Sequence, residues 1–160
     1  MPPTWASPYS SSSEMGFRGQ QLLARGEGPS MLTAMAGPMK DRQEFARWWV
    51  QAWSNQDVDA IVACFAKNVR FVSPRAADVT GHPVVIGREA LRGYWQRAVA
   101  GIESIAFELD QVLEDRGGKL IVIVFISDID GRRKRACEFF EFDDHGKIVA
   151  AEAMHGCRLP

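Results

Sequence analysis

This sequence lacks most of the features that would place it quickly. It has three cysteines, Cys64, Cys137 and Cys157, an odd number without metal-ligand spacing. A disulfide scaffold or a structural zinc site needs more thiols at closer intervals, so free thiols in a reducing cytoplasm are expected. No apolar run approaches the roughly 18 residues needed for a membrane span. Neither sign of charge dominates: 19 Lys and Arg stand against 20 Asp and Glu, a net charge of −1. With no basic field, neither nucleic acid nor an anionic membrane is the expected partner. What is present suffices for a core. Hydrophobic residues make up 46% of 160 positions, about one domain's worth of chain.

Residues 1–38 differ from the rest. They hold five prolines, five glycines and the run Ser10 to Ser13, with no helical or strand period. Such a composition buries too little surface to offset its ordering entropy, so a disordered tail is expected, with the folded domain over 39–160. The tail is either a native extension or an upstream over-read beginning before Met35 or Met39.

From residue 40 the pattern is helical. Phe45, Trp48, Trp49, Ala52 and Trp53 form one apolar stripe at helix spacing. Asp57 can cap a second helix over 57–66, with Val58, Ile61, Val62 and Phe65 inward. Val69 to Ser73 read as a short strand ended by Pro74, and 75–85 as a loop, with His82 a solvated loop residue. A third helix over 88–101 turns Leu91, Tyr94, Trp95, Ala98 and Ile102 inward. Period-two alternation then marks strands at about 104–115, 119–129, 132–142 and 147–157. Gly117-Gly118 and Asp130-Gly131 turn the first two pairs, the second by the Asp-Gly hairpin signature. Asp143 to Gly146 turn the last pair. The expected architecture is α+β, with three helices packed on one face of a curved, mainly antiparallel sheet.

Three strings, DVDAIVACFAKNVRFVSP (57–74), IGREALRGYW (86–95) and EFFEFDDHGKIVAAEAMHG (138–156), carry a resemblance. In this layout the chain resembles the SnoaL-like, or nuclear transport factor 2-like, superfamily with its cystatin-like cone fold. Within it the ketosteroid isomerase and polyketide cyclase branches are the most similar. The resemblance covers residues 45–157 and implies a cone-shaped cavity that binds a small, largely apolar molecule. It also implies a cofactor-independent reaction, if any: isomerisation, cyclisation, dehydration or epoxide opening. The same fold serves non-catalytic ligand-binding or interaction modules, and that alternative stands beside the enzyme.

The isomerase groups map one by one. The general-base position falls on Ser73, the oxyanion tyrosine on Trp49, and the protonated acid on Glu138. One of three is kept in kind. A serine beside proline has no pKa near 7, and an indole N–H donates without giving up its proton. The resemblance therefore does not extend to steroid isomerisation by the family mechanism.

Strand registers can be counted from the turns. If Phe142 faces Lys147, Glu138 faces Ala151 and Lys134 faces His155; across the Asp-Gly turn Ile123 faces Glu138 and Phe125 faces Ala136. Phe125, Ser127, Glu138, Phe140, Ala153 and His155 then share the inner face, about 13 Å separating His155 from the residue opposite Glu138. The candidate catalytic residues are Glu138 and His155. Trp49, Trp53, Phe71, Ser73, Tyr94, Trp95, Phe125 and Phe140 are the candidate ligand-binding residues. Glu138 among aromatics should have a raised pKa and could serve as acid or oxyanion donor; the plainer reading is a structural glutamate bonded to a tryptophan, Tyr94 or an arginine. His155 could be acid, base or donor, or a half-exposed histidine near the C-terminus. No cofactor and no metal is expected. The run Arg132 to Arg135 is a solvated strand end, with Lys134 at the pocket rim favouring an anionic ligand. The outer sheet face is apolar too, at Val122, Val124, Ile126, Cys137, Phe139 and Val149. A face with that composition needs a cover, and a homodimer supplies one.

Overall fold

Helix α1, Arg42–Ser54, begins where the Asp41 carboxylate accepts from the amides of Gln43 and Glu44. That cap supplies two of the amide partners a helix start lacks. The computed structural model describes residues 41–159; the expected tail over 1–38 lies outside the described residues. The α1 stripe is core, with Phe45, Trp49, Ala52 and Trp53 at 8% exposure or less. Helix α2, Val58–Ala63, follows the Asp57 cap, whose side chain accepts from the Ala60 amide.

Strand β1 runs Phe65–Val72, starting earlier than its sequence indicates. Phe65 is thus a strand residue rather than the end of α2; its aromatic side chain has strand propensity, and it packs at tilted and edge-on angles against Trp49 and Trp95. The expected loop over 75–85 is a second correction. It contains helix α3, Pro74–Thr80, and strand β2, Val84–Ile86. Ser73 caps α3 through its hydroxyl, and Pro74 occupies the first turn, the preferred arrangement for a helix start. Four helices rather than three therefore pack on the sheet. The last, α4, spans Arg88–Val99 and buries Leu91, Tyr94, Trp95 and Ala98.

The remaining strands are β3, Ile105–Glu114, β4, Leu120–Ile129, β5, Arg132–Phe142, and β6, Ile148–Arg158. The curved sheet has the order β2-β1-β6-β5-β4-β3 and is antiparallel except where β1 meets β6. At the Asp130-Gly131 turn both residues have positive φ, 51° and 72°, as the hairpin signature requires. Ile123 faces Glu138, Phe125 faces Ala136 and Ser127 faces Lys134, as counted from that turn.

The β5–β6 register differs from the sequence count. Phe142 faces Ile148, so the connection is one residue longer, and a shift between Glu141 and Phe142 adds one more. Glu138 consequently faces Ala153, and Ala136 faces His155. Two single steps preserve the face, because side chains alternate with period two. They also carry His155 to the diagonal position from Glu138, about 7–8 Å rather than 13 Å away.

Candidate functional site

The cavity lies between α3, α4 and the inner face of the sheet. Its volume is about 560 Å³. Its body is aromatic and aliphatic: Trp53, Phe71, Trp95, Ala98, Phe107 and Phe125. Ser54 fixes one wall, since its hydroxyl donates to the Val50 carbonyl at 2.8 Å and accepts from the Phe107 amide at 2.9 Å. Trp53 and Phe107 are thereby held stacked, with ring centroids 5.9 Å apart and planes 28° apart. Ala153 opposite Glu138 leaves the room that a larger side chain would fill.

Eight of the ten residues named from the sequence line this cavity: Trp53, Phe71, Ser73, Tyr94, Trp95, Phe125, Glu138 and His155. Trp49 and Phe140 do not. Both are fully buried and pack on each other at 4.9 Å between ring centroids. A helix stripe shows which residues turn inward, but not which of them the neighbouring rings will cover. Sequence reasoning missed Arg75 and Phe107, which also line the cavity. The signal for Arg75 was the Ser-Pro helix start, which places it in the first turn of α3, toward the cavity.

Glu138 is the polar focus. It is 5% exposed, and burial pushes its carboxyl up to about 8. The Trp49 indole lies beside it and favours the ionised form. Even so, Trp49 Nε1 and Glu138 Oε1 have no hydrogen-bond partner of acceptable geometry among the described residues. Desolvation therefore outweighs the indole. Trp49, which the resemblance places at the oxyanion-tyrosine position, is fully buried and does not line the cavity. Trp53 Nε1 is likewise buried without a partner, and Trp53 lines the cavity wall. Buried polar atoms are seldom left unmatched, and of these three residues Glu138 and Trp53 line the cavity.

Tyr94 is buried and its phenol is pushed up, first by burial; the nearby Ser73 hydroxyl opposes this and the Glu138 charge adds to it. Ser73 is committed to its cap, accepting from the Arg75 amide at 3.2 Å. His155 stands at the mouth. Its pKa is lowered, first by burial and then by Lys134 and Arg75. At neutral pH the site thus favours a protonated carboxyl, the reverse of an ordinary glutamate in water, and a neutral imidazole, the form that already predominates for histidine in water. No group of three or more His, Cys, Asp or Glu among the described residues is placed to hold a metal ion. None of the described helices is long and apolar enough to cross a membrane.

These features belong to a known class. The family model of the SnoaL-like domain matches residues 36–151, and the chain belongs to that family. Among solved structures it is similar to a SnoaL-like protein of unknown function from Burkholderia thailandensis. Identity is 28% and the TM-score 0.64, over 72% of this chain and 93% of that one. It is also similar to SalBIII, described as an epoxide hydrolase/cyclase-like enzyme in pyran ring formation in the polyether salinomycin. There identity is 24% and the TM-score 0.57, over 74% and 95% of the two chains. A protein with a cystatin-like fold from Methylobium petroleophilum shares 19% identity at a TM-score of 0.58, over 74% and 77%. No curated protein matches the chain.

Proposed function

We propose that this protein binds a small, largely apolar, oxygen-bearing molecule in the cone cavity and catalyses a cofactor-independent acid–base rearrangement of it. Opening of an epoxide with ring closure is the reaction that best uses the groups present. Protonated Glu138 gives its proton to the epoxide oxygen as that C–O bond breaks. A hydroxyl of the same molecule forms the new C–O bond and loses its proton toward His155. Atoms balance as an isomerisation, and proton return from His155 to Glu138 resets the site. The carrying observation is the pair itself: an acid whose pKa is raised and a base whose pKa is lowered, on one face of adjacent strands. The SalBIII neighbour supports the choice only through its shared fold and described activity.

A second reading is a non-catalytic binding module of the same fold. It is favoured by Ser73, which holds the family's base position and serves as a helix cap. Incubating the protein with a panel of apolar epoxy alcohols and analysing products by mass spectrometry and NMR separates the two. Ring-closed product formed by wild type and lost in Glu138→Gln supports the enzyme. Binding without turnover by either protein supports the module.

A further inference from the structure

The run Arg132 to Arg135 looks uniform in sequence, but the strand sorts it. Alternation turns Arg133 and Arg135 to the outer face, where they meet carboxylates of β3. Arg135 Nη2 lies 2.7 Å from Asp110, and Arg133 Nη2 lies 3.9 Å from Glu108. Arg132 and Lys134 fall on the other face and line the cavity. Arg75 lines it from the helical layer opposite. Arg75, Arg132 and Lys134 form no ion pair among the described residues. Two carboxylates also line this region, Asp78 and Asp130. Asp130 is occupied, accepting from the amides of Glu103 and Ser104 at 3.0 and 2.9 Å. Asp78 is exposed. His155, between the two walls, is acted on by Lys134 and Arg75, both cations. With Glu138 protonated, three cations and two carboxylates line this cavity, so its side chains sum to +1 over an apolar interior, although the protein as a whole carries a net charge of −1.

We infer that the ligand is an anionic amphiphile, an apolar body bearing a carboxylate or comparable monoanion, seated with its anion between Arg75 and Lys134. This rests on the cavity being the ligand site, as proposed above. It orients the ligand: the anion sits outside, and the reacting oxygen reaches inward to Glu138 and the Trp53 indole. Arg75 Nη2 donates to the Ala98 carbonyl at 3.4 Å, which leaves its other N–H groups for a ligand, and cations on two different elements can grip one anion from both sides.

Two fluorescent probes with the same ring system test this, 8-anilinonaphthalene-1-sulfonate and the uncharged N-phenyl-1-naphthylamine. Binding is read from the Trp53 indole N–H resonance, so that association with the outer sheet face is not counted. The anionic probe should bind roughly tenfold tighter at low salt, and the difference should shrink toward about 0.5 M salt. Lys134→Gln and Arg75→Gln should each weaken the anionic probe by roughly threefold or more and change the neutral one by less than about twofold. If the neutral probe binds in the cavity and the anionic one binds no tighter, the inference is wrong and the cavity reading survives. If neither probe moves the Trp53 resonance, the cavity reading fails and the inference with it.

Discussion

Glu138 and His155 are diagonal neighbours on the inner face: Glu138 pairs with Ala153 on the adjacent strand, and His155 lies two residues beyond. About 7–8 Å separates such positions, room for one reacting group between a carboxyl and an imidazole. Their environments push them in opposite directions. Glu138 sits among apolar rings away from water, whereas His155 sits among cations at the mouth. The proton inventory of the site at neutral pH follows from placement alone.

The first prediction concerns stability. Folding raises the Glu138 pKa from an ordinary 4.5 to about 8. The folded state therefore holds a proton that the unfolded chain has released, and stability falls as pH rises from about 4.5 to about 8. At pH 7 the cost is on the order of 3 kcal/mol. Glu138→Gln removes the titration. Urea unfolding should show the variant close to wild type near pH 4.5 and more stable by a few kcal/mol near pH 8. A wild-type stability that is flat across this interval would mean that Glu138 titrates normally.

The second concerns catalysis. With Glu138 as acid, kcat/KM should fall above about pH 8. With His155 as base, it should also fall on the acid side, below the ordinary histidine value, because that pKa is lowered. Glu138→Leu should lose ligand affinity as well as turnover, whereas Glu138→Gln should lose turnover and retain most of its binding. An alkaline limb that persists unchanged in an active Glu138→Gln variant would transfer the acid role to another group.

Much of this site was legible in the chain, for identifiable reasons. The Asp130-Gly131 turn has one dominant geometry, so the β4–β5 register could be counted residue by residue. The 143–147 connection has no such single solution. Asp143 accepts from the His145 and Lys147 amides at 2.9 and 2.8 Å, which closes a longer loop than the sequence count assumed. Faces survived that error because it was even; the His155 distance did not. Helix α3 was hidden because Pro74 and Gly81 read as loop residues when they are its first turn and its end. Trp49 was read correctly as inward-facing, but the rings of Phe140 and Phe65 that close over it come from distant segments.

The third prediction separates cap from ligand contact at Ser73. Its hydroxyl caps α3 and lines the cavity. Ser73→Ala should cost about 1 kcal/mol, with Ser73→Thr largely restoring stability because threonine caps as well and adds no charge to this buried position. Thermal melts of the two variants check this. If Ser73→Ala melts like wild type, the cap contributes little.

The fourth concerns the core. Trp49 is fully buried and meets Phe45, Trp53, Phe65, Trp95 and Phe140. Trp49→Ala should destabilise by about 3–5 kcal/mol. Trp53→Phe should cost far less stability yet weaken ligand binding, because it removes the unpartnered indole N–H at the cavity wall. Equal loss of binding in Trp53→Phe and in a Trp49→Phe control would assign the effect to packing instead.

The last concerns the outer face of the sheet. We propose that it joins two copies of this chain. Val122, Val124, Ile126, Cys137 and Phe139 are half-buried there, while Leu113, Leu120 and Met154 are 56%, 44% and 45% exposed. Val122 faces Phe139 and Leu113 faces Val122, so the apolar residues are contiguous across three strands. The rim carries both signs, Arg133 and Arg135 beside Glu108 and Asp110, as a surface that meets its own copy about a two-fold axis requires. None of the described helices covers this face, and water is a poor cover for so continuous an apolar surface. Sedimentation should find wild type dimeric at micromolar concentration. Phe139→Lys should be monomeric and should still bind the neutral naphthylamine probe, since its side chain is on the face away from the cavity. A monomeric wild type would leave the apolar face to a different partner.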